Sequence, residues 1–226
     1  MRLIDADTAQ AGLTIVADTQ TEGKGQRGRS WADTPGDSLL MSLITSPQYP
    51  LERQFIFNAS IAIAIANVLQ KLSERIDVRI KWPNDIIIND KKAGGILIEN
   101  IIRGNSWIYG IIGLGLNVNQ RFFPAELPYA TSLYLASGRL LIIDELVDAI
   151  RNEVIGQAAR QLPADEVMQE YNDHLYRQGN LQTFRLNGDE WIAEIQNVTA
   201  DGKLHVRLID GNTASYVHGS VEWVWE

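Results

Sequence analysis

Four apolar runs crowd the stretch from residue 78 to residue 114, and this spacing limits the fold more than any other feature. Val78–Ile80, Ile86–Ile88, Ile96–Ile102 and Trp107–Leu114 each have strand length, with turn formers at Asn89-Asp90 and Arg103-Gly104-Asn105 between them. Two earlier runs, Leu13–Ala17 and Leu39–Thr45, also read as strands, separated by a polar, glycine-rich segment. From Glu52 to Ser73, apolar residues at Phe55, Ala59, Ala62, Ala66, Leu69 and Leu72 recur at helical spacing and predict one apolar stripe. Two further helices are expected, over about Asp144–Leu162 and Asp165–Tyr176. Strands followed by helices in this order predict an α+β fold, a mixed sheet flanked by helices.

Beyond Gly179 the character changes. Asn187-Gly188, Asp201-Gly202 and Asp210-Gly211 are tight-turn dipeptides, with strand-like Trp191–Val198 and Leu204–Ile209 between them. Turns this close predict a small barrel or sandwich, with the boundary at 176–180. The expected division is residues 1–177 and 178–226.

Net charge narrows the function. With 20 Lys and Arg against 28 Asp and Glu, the formal charge is −8, so phosphate polymers are repelled unless a local basic patch overrides the field. No nucleic-acid partner is expected. The chain has no cysteine, which excludes disulfides, thiolate nucleophiles and Cys-containing zinc sites and fits a reducing compartment. The longest apolar run, Ile61 to Ala66, falls far short of the ~20 residues of a bilayer span. The first residues lack the apolar stretch of a signal peptide. These features together predict a cytoplasmic protein with no membrane partner.

Gly23-Lys24-Gly25-Gln26-Arg27-Gly28-Arg29 combines glycines, which let a ligand approach the backbone, with three cations, Lys24, Arg27 and Arg29. Exposed amides and cationic side chains both stabilise phosphate oxygens, each charge-assisted hydrogen bond contributing about 1.5–3 kcal/mol. The spacing is neither a Walker loop nor a dinucleotide fingerprint. Alone, it reads equally well as a solvated turn. In Lys81-Trp82-Pro83-Asn84-Asp85, Pro83 ends the strand and lets Asn84 and Asp85 point away from the sheet. Alone, a Trp-Pro core plug followed by a turn is the better reading.

Lys92 stands at the mouth of a strand with Gly94 and Gly95, a pairing that marks a bulge or a close approach to the backbone. An anion 4 Å from that ammonium would gain ~4 kcal/mol at an effective dielectric of 20, before desolvation. Neighbouring Lys91 reads as an ordinary surface lysine. In Ile111–Asn119, glycines at 113 and 115 alternate with bulk, predicting a flat apolar floor with Asn117 and Asn119 at its rim, or else tight sheet packing.

In this order the segments resemble the biotin protein ligase family from Ala11 to the C-terminus. The resemblance is carried by the glycine-rich basic loop with Trp31 after it, Lys81–Asp85, Lys92 through Glu99, Gly113-x-Gly115-x-Asn117 and Ala130-Thr131-Ser132-Leu133. It implies a catalytic domain like the class II aminoacyl-tRNA synthetases, followed by an SH3-like β-barrel. It also implies an ATP-dependent ligase that forms biotinyl-5′-AMP and passes biotin to a lysine of a biotin carboxyl carrier protein. Lys92 would bridge the biotin carboxylate and α-phosphate, and Arg27 or Arg29 would supply a second cation. Gln20, Gly23, Lys24, Gly25, Gln26, Arg29, Trp31, Gly94, Gly95, Gly113 and Gly115 would line the biotin and adenylate site. Asn84, Asp85 and Asn117 would stand near nucleotide or Mg²⁺, whose protein ligands are not readable.

Two departures from the family are visible. The chain begins, at Met1–Asp5, where the family's helix follows a Ser-Thr-Asn strand, so that strand is expected to be absent. Gln26 stands where arginine is common. Pairing of family members through sheet edges leaves room for a homodimer. The alternatives are a lipoate or octanoate protein ligase on the same architecture, and a catalytically impaired module that binds biotin or docks a carrier.

Overall fold

In a computed structural model of the chain, residues 9–21, 23, 25, 31 and 34–225 are described. Two antiparallel sheets carry the architecture. The larger runs β1(Thr14–Ala17), β2(Ser38–Thr45), β6(Ser106–Asn117), β5(Lys91–Arg103), β4(Asp85–Ile88), β3(Val78–Lys81) from edge to edge. A mixed sheet was expected, yet every strand pair in it is antiparallel. The reason lies in the connections: β3 to β6 are joined by short turns, which allow only antiparallel neighbours. Among the described residues, parallel pairing is confined to the isolated bridges Ile80–Leu175 and Lys92–Ala130.

The sheet is two-faced. Leu39, Met41, Leu43, Ile86, Ile88, Ile96, Ile112, Leu114 and Leu116 alternate onto one face and are buried. Against this face lies helix α1(Gln54–Gln70), where Phe57 meets Trp107 edge-on at 5.1 Å and reaches Gly110. The expected single stripe on this helix is too narrow. Ile61, Ile63 and Ile65 are as buried as Ala62 and Ala66. Helices α3(Ile143–Ala158) and α4(Ala164–Asp173) cover the side of α1 that the sheet leaves open, so apolar residues are required nearly all round it. Between β6 and α3, Ser132 caps the five-residue α2(Leu133–Ser137), accepting from the Leu135 amide at 3.1 Å.

The second sheet runs β10(Thr213–Tyr216), β9(Leu204–Leu208), β8(Asp189–Val198), β7(Leu181–Leu186), β11(Glu222–Trp223), with Asn187 and Gly188 at positive φ in its first hairpin. The expected barrel does not close: β10 and β11 end the order and are not paired with each other. With four residues in β10 and two in β11, the end strands offer few backbone groups for a closing ladder.

The two sheets meet at Lys81 and Trp82. Trp82 donates from Nε1 to the Gly202 carbonyl at 3.0 Å and packs edge-on to His218. Beneath the turn that follows, Tyr171 of α4 donates its hydroxyl to the Pro83 carbonyl at 2.9 Å. Burial pushes that hydroxyl's pKa up, so it stays protonated and available as a donor. Met1–Asp5, which the resemblance aligns with the family's helix, lies outside the described residues. No helix among the described residues is long and apolar enough to cross a membrane. Tyr171→Phe leaves the Pro83 carbonyl without this donor and is expected to cost about 1–3 kcal/mol. Urea unfolding would show it as a lower midpoint at unchanged slope.

Candidate active site

The uncovered face of the larger sheet forms the floor of a cleft of about 1000 Å³. Its glycines follow from the strand alternation. In β6, Leu114 and Leu116 point into the core, so Gly113 and Gly115 must point the other way. Gly115 pairs with Gly95 of β5, which pairs with Asp85 of β4. One cross-strand row therefore carries Asp85, Gly95 and Gly115 on the open face.

Lys92 reaches this face through a bulge. Ile86 pairs with Gly94 but Ile87 pairs with Lys92, leaving Ala93 as an extra residue in β5. Simple alternation would place Lys92 with Gly94, toward the core. With the bulge its stem lies beside Gly95, and its ammonium meets Asp85 Oδ1 at 2.7 Å. The main chain of Lys92 is held from the other side: its amide donates to the Tyr129 carbonyl at 2.7 Å, and its carbonyl accepts from the Thr131 amide at 2.9 Å.

Trp31 rests on the glycine floor. Its amide donates to the Gly23 carbonyl at 2.9 Å, and Lys92 Nζ stands 5.9 Å from its ring centroid. A methyl group at Gly115 would stand 2.8 Å from Trp31 Cε2, so glycine at 115 is what admits the indole. Trp31 Nε1 is buried with no acceptor among the described residues, a donor available to a ligand that replaces the ring's present surroundings.

Gln20, Gly25, Trp31, Asn84, Asp85, Lys92, Gly95, Gly113 and Gly115 all line the cleft. Gly23 stands behind Trp31. Gly94 faces the core, where a methyl would meet the Gly115 carbonyl at 2.8 Å and Leu116 Cδ1 at 2.9 Å, so it serves packing. Asn117 is buried outside the lining and donates to the Thr131 carbonyl at 3.0 Å, steadying the segment that grips Lys92. The Asn84 amide donates to the Ile96 carbonyl. Lys24, Gln26, Arg27 and Arg29 lie outside the described residues. Among the described residues no three His, Asp or Glu side chains group to hold a metal ion.

Sequence reasoning missed the far wall of the cleft, which includes Lys81, His218, Trp223 and Trp225. Lys81 Nζ lies 3.7 Å from the Trp225 ring centroid and 4.9 Å from that of Trp223. The one available signal was the aromatic density of Trp223-Val224-Trp225.

The two kinds of glycine should separate on substitution. Gly94→Ala strikes backbone and is expected to destabilise the fold by about 1–3 kcal/mol through overpacking. Gly115→Ala strikes the movable Trp31 ring, and thermal unfolding should show a smaller loss than for Gly94→Ala. Its signature is a changed Trp31 environment in near-ultraviolet circular dichroism.

Comparison with known proteins accords with this geometry. The bifunctional ligase/repressor BirA of Bacillus spizizenii is 42% identical over 135 residues, which cover 58% of this chain and 41% of that protein. The biotin–[acetyl-CoA-carboxylase] ligase of Mycobacterium tuberculosis is 30% identical over 126 residues, covering 54% of this chain and 45% of that one. The chain thus matches less than half the length of these two relatives. Among solved structures, the biotin protein ligase from Aquifex aeolicus in complex with biotin and ATP superposes with a TM-score of 0.80 at 23% identity, covering 96% of this chain and 91% of that one. That likeness shows the fold. A family model matches residues 2–117, just over half the chain and including Lys92, Gly95, Gly113 and Gly115, and on that match the chain belongs to the biotin/lipoate A/B protein ligase family.

Proposed function

We propose that the chain is a biotin protein ligase that activates biotin with ATP and transfers it to a lysine of a biotin carboxyl carrier protein. The observation that carries this reading is the Lys92 ammonium, raised by the Ala93 bulge onto a glycine floor beneath Trp31. The named relatives support biotin and a carboxylase carrier as the substrates, and the Aquifex complex supports ATP.

In the first step an oxygen of the biotin carboxylate attacks the α-phosphorus of ATP, and the bond to pyrophosphate breaks. Two anions must approach each other, and Lys92 stands where it can neutralise both. In the resting protein its partner is Asp85. Substrate binding would exchange that carboxylate for the substrate's, so little charge is desolvated without a partner. In the second step the uncharged acceptor amine attacks the acyl carbon, AMP departs with the electron pair, and the proton shed by the amine nitrogen passes to solvent. The glycine floor admits the apolar body of biotin, while Lys24 and Arg27 or Arg29 remain the proposed phosphate contacts. Mg²⁺ enters this reading only as counter-ion of the ATP phosphates, since Asp85 alone makes no cage.

Residues 1–177 are assigned to catalysis. Residues 178–226 are assigned to a small β module, for which the family resemblance implies an SH3-like character although its sheet is open. The edge strand β1 exposes Ile15 and Val16, with Leu13 exposed just before it, the edge through which a homodimer would form. A chain free of cysteine suits the cytoplasm.

Incubation with a carrier domain, biotin and ATP should yield a band detected by streptavidin, and its absence would refute the ligase. Pyrophosphate release should fall about 10²–10³-fold for Lys92→Ala, while exposed Lys91→Ala keeps full activity; equal losses would place the reacting lysine wrongly. Titration calorimetry should give heat with biotin and none with lipoate, and the reverse pattern would make the chain a lipoate ligase.

A further inference from the structure

We propose that Trp225, gripped by Lys81, positions Lys92 through Tyr129, so that the C-terminal segment sets where the reacting ammonium stands. The assignment of chemistry to Lys92 rests on the ligase reading. The mechanical link rests on contacts alone.

Lys92 needs a support outside its own sheet. It is the second residue of β5, beside the bulge where pairing to β4 loses register, and β6 ends its pairing with β5 at Leu116 opposite Gly94. What fixes its main chain is the segment 129–131, through the hydrogen bond it donates to the Tyr129 carbonyl and the one it accepts from the Thr131 amide. Asn117 holds the far end of that segment at Thr131. At the near end the Tyr129 ring stacks on Trp225, centroids 5.5 Å apart and planes 15° from parallel.

Trp225 is itself fixed. Lys81, 5% exposed, sets its ammonium 3.7 Å from the Trp225 centroid and donates to the Trp223 carbonyl at 3.2 Å. Tyr176 adds a tilted ring contact at 6.2 Å. A cation held over an indole face away from water is a strong and directional contact. Lys81 thus ties the last strand of the small sheet to β3, and the Trp225–Tyr129 stack carries that hold to the Lys92 main chain. Trp225 is a positioning residue in this account. A displacement of about 1 Å at a reacting group can cost 10²-fold in rate, so a loosened Tyr129 would be felt in turnover.

The test is amide hydrogen exchange of the full chain, read as the ratio of exchange at Lys92 and Thr131 to exchange at the β2 and β6 amides of the same variant. Trp225→Ala should raise this ratio about tenfold and lower kcat for pyrophosphate release about tenfold with KM for biotin nearly unchanged, and Trp225→Phe, which keeps a stacking ring, should restore both. Should Trp225→Ala not fold, Tyr129→Leu removes the stack from the other side and is read by the same ratio. An unchanged ratio overturns the proposal, as does a raised KM with kcat retained, which would make Trp225 a substrate contact. If the parent chain releases no pyrophosphate, the ligase reading fails while the exchange ratio still decides the link.

Discussion

The pairing of β5 with β6 is the constraint on which the cleft depends. It sets Gly95 against Gly115 on one face and Gly94 against Leu116 on the other. A side chain at Gly115 would displace Trp31 from the floor, and one at Gly94 would strike Leu116 and the Gly115 carbonyl on the core side. The Ala93 bulge then turns one lysine out of the core face and onto that floor. A single inserted residue in a strand thereby brings a cation onto a face otherwise lined by glycine.

Around this row the molecule divides its tasks. Helix α1, apolar nearly all round, fills the space between the sheet and the outer helices and keeps the floor flat from below. Tyr171 supports the turn at Pro83 from beneath, so Asn84 and Asp85 emerge in a fixed direction. The second sheet supplies the far wall through Trp223 and Trp225. Among the described residues the carboxylate paired with Lys92 in the cleft is that of Asp85.

Much of this was legible from the residues. Glycine-bulk alternation in Ile111–Asn119 foretold a floor, because the period-2 rule depends on nothing beyond the strand itself. The spacing from Asp85 to Lys92 allows a short turn between neighbouring strands, but the Ala93 bulge that turns Lys92 onto the face of Asp85 leaves no trace in the alternation of residues. Gly94 was misplaced because alternation alone cannot show which of two adjacent glycines faces the core once a bulge intervenes. Asn117 was read as a rim group because its donor's target, Thr131, lies across a loop of unpredictable path. Lys81 was passed over since its partners stand more than 140 residues away, at Trp223 and Trp225. The helix stripe came out too narrow because burial on all sides is a property of the neighbours. The mixed sheet and the closed barrel failed similarly, since strand content does not reveal which edges meet.

The proposed chemistry requires Lys92 to leave Asp85 for the junction of carboxylate and phosphate. A crystal structure with a non-hydrolysable biotinyl-adenylate analogue would show whether it does. The Lys92 ammonium is expected within about 3 Å of the linking oxygens, with the bicyclic ring over Gly113 and Gly115. An analogue bound elsewhere, or a Lys92 still paired with Asp85 and remote from the linkage, would contradict it.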